Sequence, residues 1–149
     1  MSAYQLAQLN IATLLAPLDS PQLHDFAAKL QRINALGEAS PGFVWRLKDE
    51  AGDATAFRPF GEDVIVNMSV WQDIDTLADF AYRSEHVDFF RRRREWFARM
   101  DTPAQVLWWV PYGHRPTLAE AADRLAQLAQ HGPGPAAFTF ARRFDAPAG

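Results

Sequence analysis

The apolar positions of the chain alternate between extended and helical spacing. Tyr4 to Ala12 carries strand-forming residues without a breaker and predicts a first strand. Ser20-Pro21 has the form of an N-cap with proline at the first helical position. Leu23, Phe26, Ala27, Leu30 and Ile33 follow at helical spacing, and Gly37 stands where a C-terminal glycine belongs. Ser40-Pro41-Gly42 predicts a turn, Phe43 to Leu47 a short strand, and Asp49 to Asp53 a hairpin-type loop around Gly52. Val64 to Trp71 is the clearest strand, with Ile65, Asn67, Ser69 and Trp71 on one face and Val64, Val66, Met68 and Val70 on the other. Both faces carry apolar residues, so this strand is expected to be covered on both sides.

Asp73 can cap a helix through Ile74, Leu77, Phe80 and Ala81, and a second helical stretch runs from about Ser84 to Met100. Val106 to Val110 predicts a strand closed by Pro111. Thr117 with Glu120 reads as a capping box that opens a helix through Leu118, Ala121, Ala122, Leu125 and Leu128, ended by His131-Gly132. Phe138 to Phe144 predicts a last strand, and residues 145–149 a disordered tail. The order β-α-β-β-α-β, then α-β, is that of an α+β, ferredoxin-like antiparallel sheet with helices on one face and an added C-terminal α-β unit, in one domain over 1–144. A sheet covered on one side leaves its other face for a second copy, so the expectation is a homodimer, a dimeric α+β barrel.

Composition narrows the chemistry more than it names it. The 149 residues suit one domain, and 48% hydrophobic with 22% charged residues argues against intrinsic disorder. There is no cysteine, which excludes disulfides, thiolate metal sites and cysteine nucleophiles. A net charge of −3 argues against a general nucleic-acid binder. No apolar run approaches the roughly 20 residues of a membrane span. The first residues lack the basic region of a signal peptide, so the expected location is cytoplasmic. No HxH or HExxH spacing links His24, His86, His114 and His131, and the GxSxG elbow, P-loop and dinucleotide fingerprint are missing, so no metal site is expected.

The stretches YQLAQLNIA, RINALGEASPGFVWRL, VNMSVWQDIDTLADFAYRSEHVDFFRRRREWF and VLWWVPYGHRPTLAEA resemble the bacterial DUF3291 family, from Tyr4 to about Phe140. That family carries no known function and is similar to the dimeric α+β barrel superfamily. The superfamily includes antibiotic-biosynthesis and haem-degrading monooxygenases, stress-responsive barrel proteins and small-molecule isomerases. The resemblance implies a small-molecule ligand in a cleft between helices and sheet.

Several residues could line such a cleft. Asn67 and Trp71 lie four apart on one strand face, about 13 Å along it. The pair resembles that of cofactor-independent quinone-forming oxygenases, in which the amide polarises a substrate oxygen and the indole packs the ring. A developing phenolate needs such a donor inside an apolar cavity. The alternative is a core tryptophan with an asparagine satisfied by backbone groups. On a continuous helix, Tyr82, His86, Phe89, Phe90, Arg93, Phe97 and Met100 would share one inward stripe. His86 would then shuttle a proton and Arg93 anchor an anion, or both would sit in a structural network. Of Arg91 to Arg94, only Arg93 would point inward, which removes a nucleic-acid patch. Trp96 would pack the substrate. One of Trp108 and Trp109 would line the cleft, and His114 with Arg115, on a proline-bounded loop, would close over an acidic ligand or form a rigid turn. The haem-degrading relatives imply a second set, Asn10, Trp71 and His86 around haem, although fifteen residues separate Trp71 from His86. The main expectation is an enzyme that needs no cofactor. The competing class is a non-enzymatic binding or stress-response protein.

Overall fold

A computed structural model describes residues 3–48, 54–84 and 86–147. The loop expected at Asp49 to Asp53 lies outside the described residues. The elements in chain order are β1 (Tyr4–Thr13), a 3-10 turn (Pro21–Leu23), α1 (His24–Glu38), β2 (Phe43–Arg46), β3 (Val64–Trp71), α2 (Ile74–Arg83), α3 (His86–Arg91), α4 (Arg93–Trp96), β4 (Gln105–Pro111) and α5 (Leu118–His131). The four strands form one antiparallel sheet in the order β2-β3-β1-β4. That order, with α1 linking β1 to β2 and α2 to α4 linking β3 to β4, is the ferredoxin-like topology. No described helix is long and apolar enough to cross a membrane.

The two faces of the sheet are sorted by residue parity. Leu6, Trp71 and Leu107 pack with Ile74 and Leu77 of α2, and Ile65 packs with Phe26 of α1. Leu9, Met68, Val70 and Trp108 project from the other face onto Ala121, Leu125 and Leu128 of α5. Burying each of those leucines is worth about 1.5–3 kcal/mol. Phe57 and Phe60 add to the same cluster. Much of the face expected to await a second copy is therefore packed within the chain, by α5 over β4 and β1 and by Phe57 and Phe60.

The helix starts follow local chemistry, with differences in detail. Asp73 Oδ1 accepts the Thr76 N–H at 2.8 Å and Thr76 Oγ1 returns to the Asp73 N–H, a complete capping box. Thr117 caps α5 by accepting from the Glu120 N–H at 3.1 Å, but the Glu120 carboxylate turns elsewhere, so only half of that box forms. Ser20 precedes a 3-10 turn and makes no side-chain cap. Gly37 lies inside α1, where its missing Cβ lets the Phe80 ring approach; a Cβ there would sit 3.4 Å from Phe80 Cζ.

Two expected elements are different in the fold. The helix expected from Ser84 to Met100 is broken at Arg92 and ends early, after Trp96. Ser84 is extended and its hydroxyl accepts the His86 N–H at 3.1 Å, which ends α2 and starts α3. Arg92 is non-helical, and Phe97 is extended after α4. Phe138 to Phe144 is not a strand: only Phe138 pairs with Leu107, on the outer edge of β4. Trp109 Nε1 donates to Phe144 O at 2.8 Å, so the segment is held as a cover over that edge.

Candidate functional site

The central strands are buried along their lengths except at one interior position each. In β1 that position is Asn10, in β3 it is Asn67, and the two are register partners. Gln105 of β4 is the partner of Asn10 on its other side. A row of three carboxamides thus crosses the sheet, with neighbouring Cβ atoms about 5 Å apart. The row is the floor of a cavity of about 400 Å³ between the sheet and the layer built by α1 to α4. The volume falls within the range of about 300–1,000 Å³ usual for small-molecule sites.

A buried relay fixes one end of the floor. Trp71 Nε1 donates to Ser69 Oγ at 2.9 Å, and Gln8 Nε2 donates to the same oxygen at 2.8 Å. Gln8 Nε2 also donates to Asn67 Oδ1 at 2.7 Å. With its oxygen engaged, the Asn67 carboxamide keeps its NH₂ as a donor for the cavity. Trp71 is only 2% exposed, stacked on Phe80 (centroids 5.3 Å, 25°) and edge-on to Phe43 at 5.5 Å. Its ring is wall material, and its polar atom is spent on Ser69.

His86 enters from the helical layer, positioned by the Ser84 break. Its ring packs on Phe80 at 5.1 Å, and Nδ1 lies 3.2 Å from Ala81 O. A carbonyl can only accept, so Nδ1 carries the proton and Nε2 is left as a base. Burial pushes the His86 pKa below its ordinary value, an effect opposed by the Ala81 hydrogen bond, so the ring is neutral near pH 7. Phe90, Arg93, Phe97 and Met100 also line the cavity. They meet there across two helix breaks, not along one helical stripe.

A family model described as DUF3291, a domain of unknown function, matches residues 5–149. This chain belongs to the DUF3291 family. No curated protein matches it. Among solved structures, this DUF3291 member is similar to SnoaB, a cofactor-independent oxygenase from Streptomyces nogalater, at 19% identity over 78% of this chain and 98% of that one, with a TM-score of 0.43. It is similar to protein PA3566 from Pseudomonas aeruginosa at 16% identity over 78% and 98% of the chains, TM-score 0.49. A dabb family protein with a ferredoxin-like fold from Mesorhizobium loti is 12% identical over 75% and 99%, TM-score 0.43.

Of the residues expected at the site of this DUF3291 protein, Asn10, Asn67, Trp71, His86 and Arg93 line this same cavity. Four others do not. Trp96 lies behind the wall, buried against Phe26 at 5.5 Å. Tyr82, in the last turn of α2, is half exposed and sits edge-on to Phe140 at 5.4 Å. Trp108 has the parity of the opposite face, where its Nε1 donates to Glu120 Oε2 at 2.8 Å. His114 Nε2 meets the other oxygen of Glu120 at 2.7 Å, and the pair closes the loop onto α5. The arrangement of Asn10, Trp71 and His86 around haem does not fit either, since Phe80 packs against both the Trp71 and His86 rings and fills the space between them. Among the described residues no group of three His, Cys, Asp or Glu could hold a metal ion.

Sequence reasoning missed Gln8, Ser69 and Gln105 as members of the site. Their signal was available in the alternation: Gln8 and Asn10 are polar residues two apart on one face of a largely apolar strand, as are Asn67 and Ser69.

Proposed function

We propose that the cavity binds a small aromatic or polyketide-like molecule bearing a phenol or enol, and supports cofactor-independent, monooxygenase-type chemistry on it. The observation that carries this reading is the pair of cavity-exposed asparagines in buried strands, on the same cavity as a histidine whose Nδ1 lies against the Ala81 carbonyl. His86 Nε2 takes the substrate proton, and the Asn67 NH₂ donates to the oxygen on which negative charge develops. Trp71 and Phe80 supply the flat apolar wall for the ring. The resulting electron-rich anion can react with dioxygen directly: one oxygen atom is retained by the product, and the other leaves as water with the two hydrogens removed from the substrate.

The test is oxygen uptake and product mass with a panel of naphthols, hydroquinones and anthrone-like phenols. Turnover should fall by about 10²-fold or more in His86→Ala, and by a similar factor in Asn67→Ala. Tight binding of the same compounds with no product over long incubation would overturn the enzymatic reading and leave a sequestering protein.

A further inference from the structure

The four consecutive arginines of this chain are divided by the break at Arg92. Arg91 reaches outward to Asp88 at 3.5 Å. Arg92 is held by Asp25 and Glu95, each at 2.8 Å. Arg93 and Arg94 both line the cavity, where a continuous helix would have admitted one. The Arg93 Nη1 bonds to Phe90 O at 3.0 Å and its guanidinium lies 4.0 Å from the centroid of the Phe90 ring, which is partly exposed. Desolvation, with smaller contributions from the charges of Arg99 and Arg93, presses the Arg94 pKa below its ordinary value. Arg46 contributes a third guanidinium to the lining, shared with Glu38 at 3.5 Å. Among the described lining residues there is no Asp or Glu. The outward pair is neutralised by carboxylates; the inward pair has none among the described residues.

We infer that the cavity selects an organic anion, with Arg93 and Arg94 receiving a carboxylate or sulfonate at its rim while the ring system lies over the apolar wall. This rests on the reading of the cavity as a small-molecule site and adds a second recognition element, separate from His86 and Asn67. A carboxylate between two guanidiniums is a charge-assisted, bidentate arrangement, and it relieves the repulsion between them.

Two probes of nearly the same shape test it: anilinonaphthalene sulfonate, and N-phenyl-1-naphthylamine, which lacks the sulfonate. Fluorescence titration of the full chain should show sulfonate affinity falling about threefold in Arg94→Gln and about tenfold in the Arg93→Gln, Arg94→Gln pair, with salt weakening the wild-type binding. The neutral probe should bind all variants alike, and Arg91→Gln should change neither titration. If both arginine variants keep the sulfonate affinity, or lose the neutral probe in parallel, anion selection is wrong while the cavity remains a ligand site. If neither probe binds the wild type, the anion reading and the small-molecule reading both fail.

Discussion

Replacing Ser69 by alanine isolates the relay beneath the floor. Ser69 is 6% exposed, and its Oγ is the acceptor for both Trp71 Nε1 and Gln8 Nε2. In Ser69→Ala, Gln8 keeps its bond to Asn67, but the indole of Trp71 has no second acceptor among the described residues. A buried donor left unsatisfied costs about 1–3 kcal/mol. Taking about 2 kcal/mol, a chain of this length should melt about 4–8 °C lower. The assay is thermal denaturation by near-ultraviolet circular dichroism in a double-mutant cycle with Trp71→Phe, which removes the donor. In the Trp71→Phe background, Ser69→Ala should cost much less, leaving a coupling of about 1–2 kcal/mol. An unchanged melting temperature in Ser69→Ala, or the same loss in both backgrounds, would refute the relay.

Gly42 has φ +83°, and a Cβ there would lie 2.4 Å from Thr76 Cβ, so Gly42→Ala should destabilise by about 2 kcal/mol or more in chemical denaturation. His86 is depressed below its ordinary value of 6.5, so the unfolded chain binds the proton more readily; stability is retained above about pH 6.5 and lost as pH falls below it. His86→Gln should accordingly lose less melting temperature between pH 7.5 and 5.5 than the wild type does. The same depressed pKa places the acid limb of kcat/KM below pH 6.5, and a limb above 7 would remove His86 as the base. Glu120→Ala strands the buried Trp108 indole on the α5 side and should cost about 1–3 kcal/mol of stability. Neither it nor His114→Ala should change probe affinity in the cavity, which titration of both variants will check.

What the amino-acid sequence determined by itself is what depends on neighbours along the chain. The alternation of Tyr4 to Ala12 and Val64 to Trp71 is a local property of a pleated backbone, and both strands form where it occurs. The Asp73 and Thr117 caps act over three residues, so α2 and α5 start where those residues stand. The placement of Asn67 and Trp71 on one strand face follows from the same period.

Only the tertiary structure decided which face became the cavity. Parity separates Trp108 from Trp109, but which of them looks inward depends on where α5 docks. The register of β1 against β3 set Asn10 opposite Asn67 and Gln8 opposite Ser69, a pairing between residues about sixty apart that no local pattern encodes. The apolar spacing from Tyr82 to Met100 predicts one helical stripe, yet a serine hydroxyl that captures the His86 N–H and the non-helical Arg92 divide it. Those breaks turn His86, Arg93 and Arg94 toward the same space, because the packing available over the sheet outweighs the modest gain of continuing a short helix.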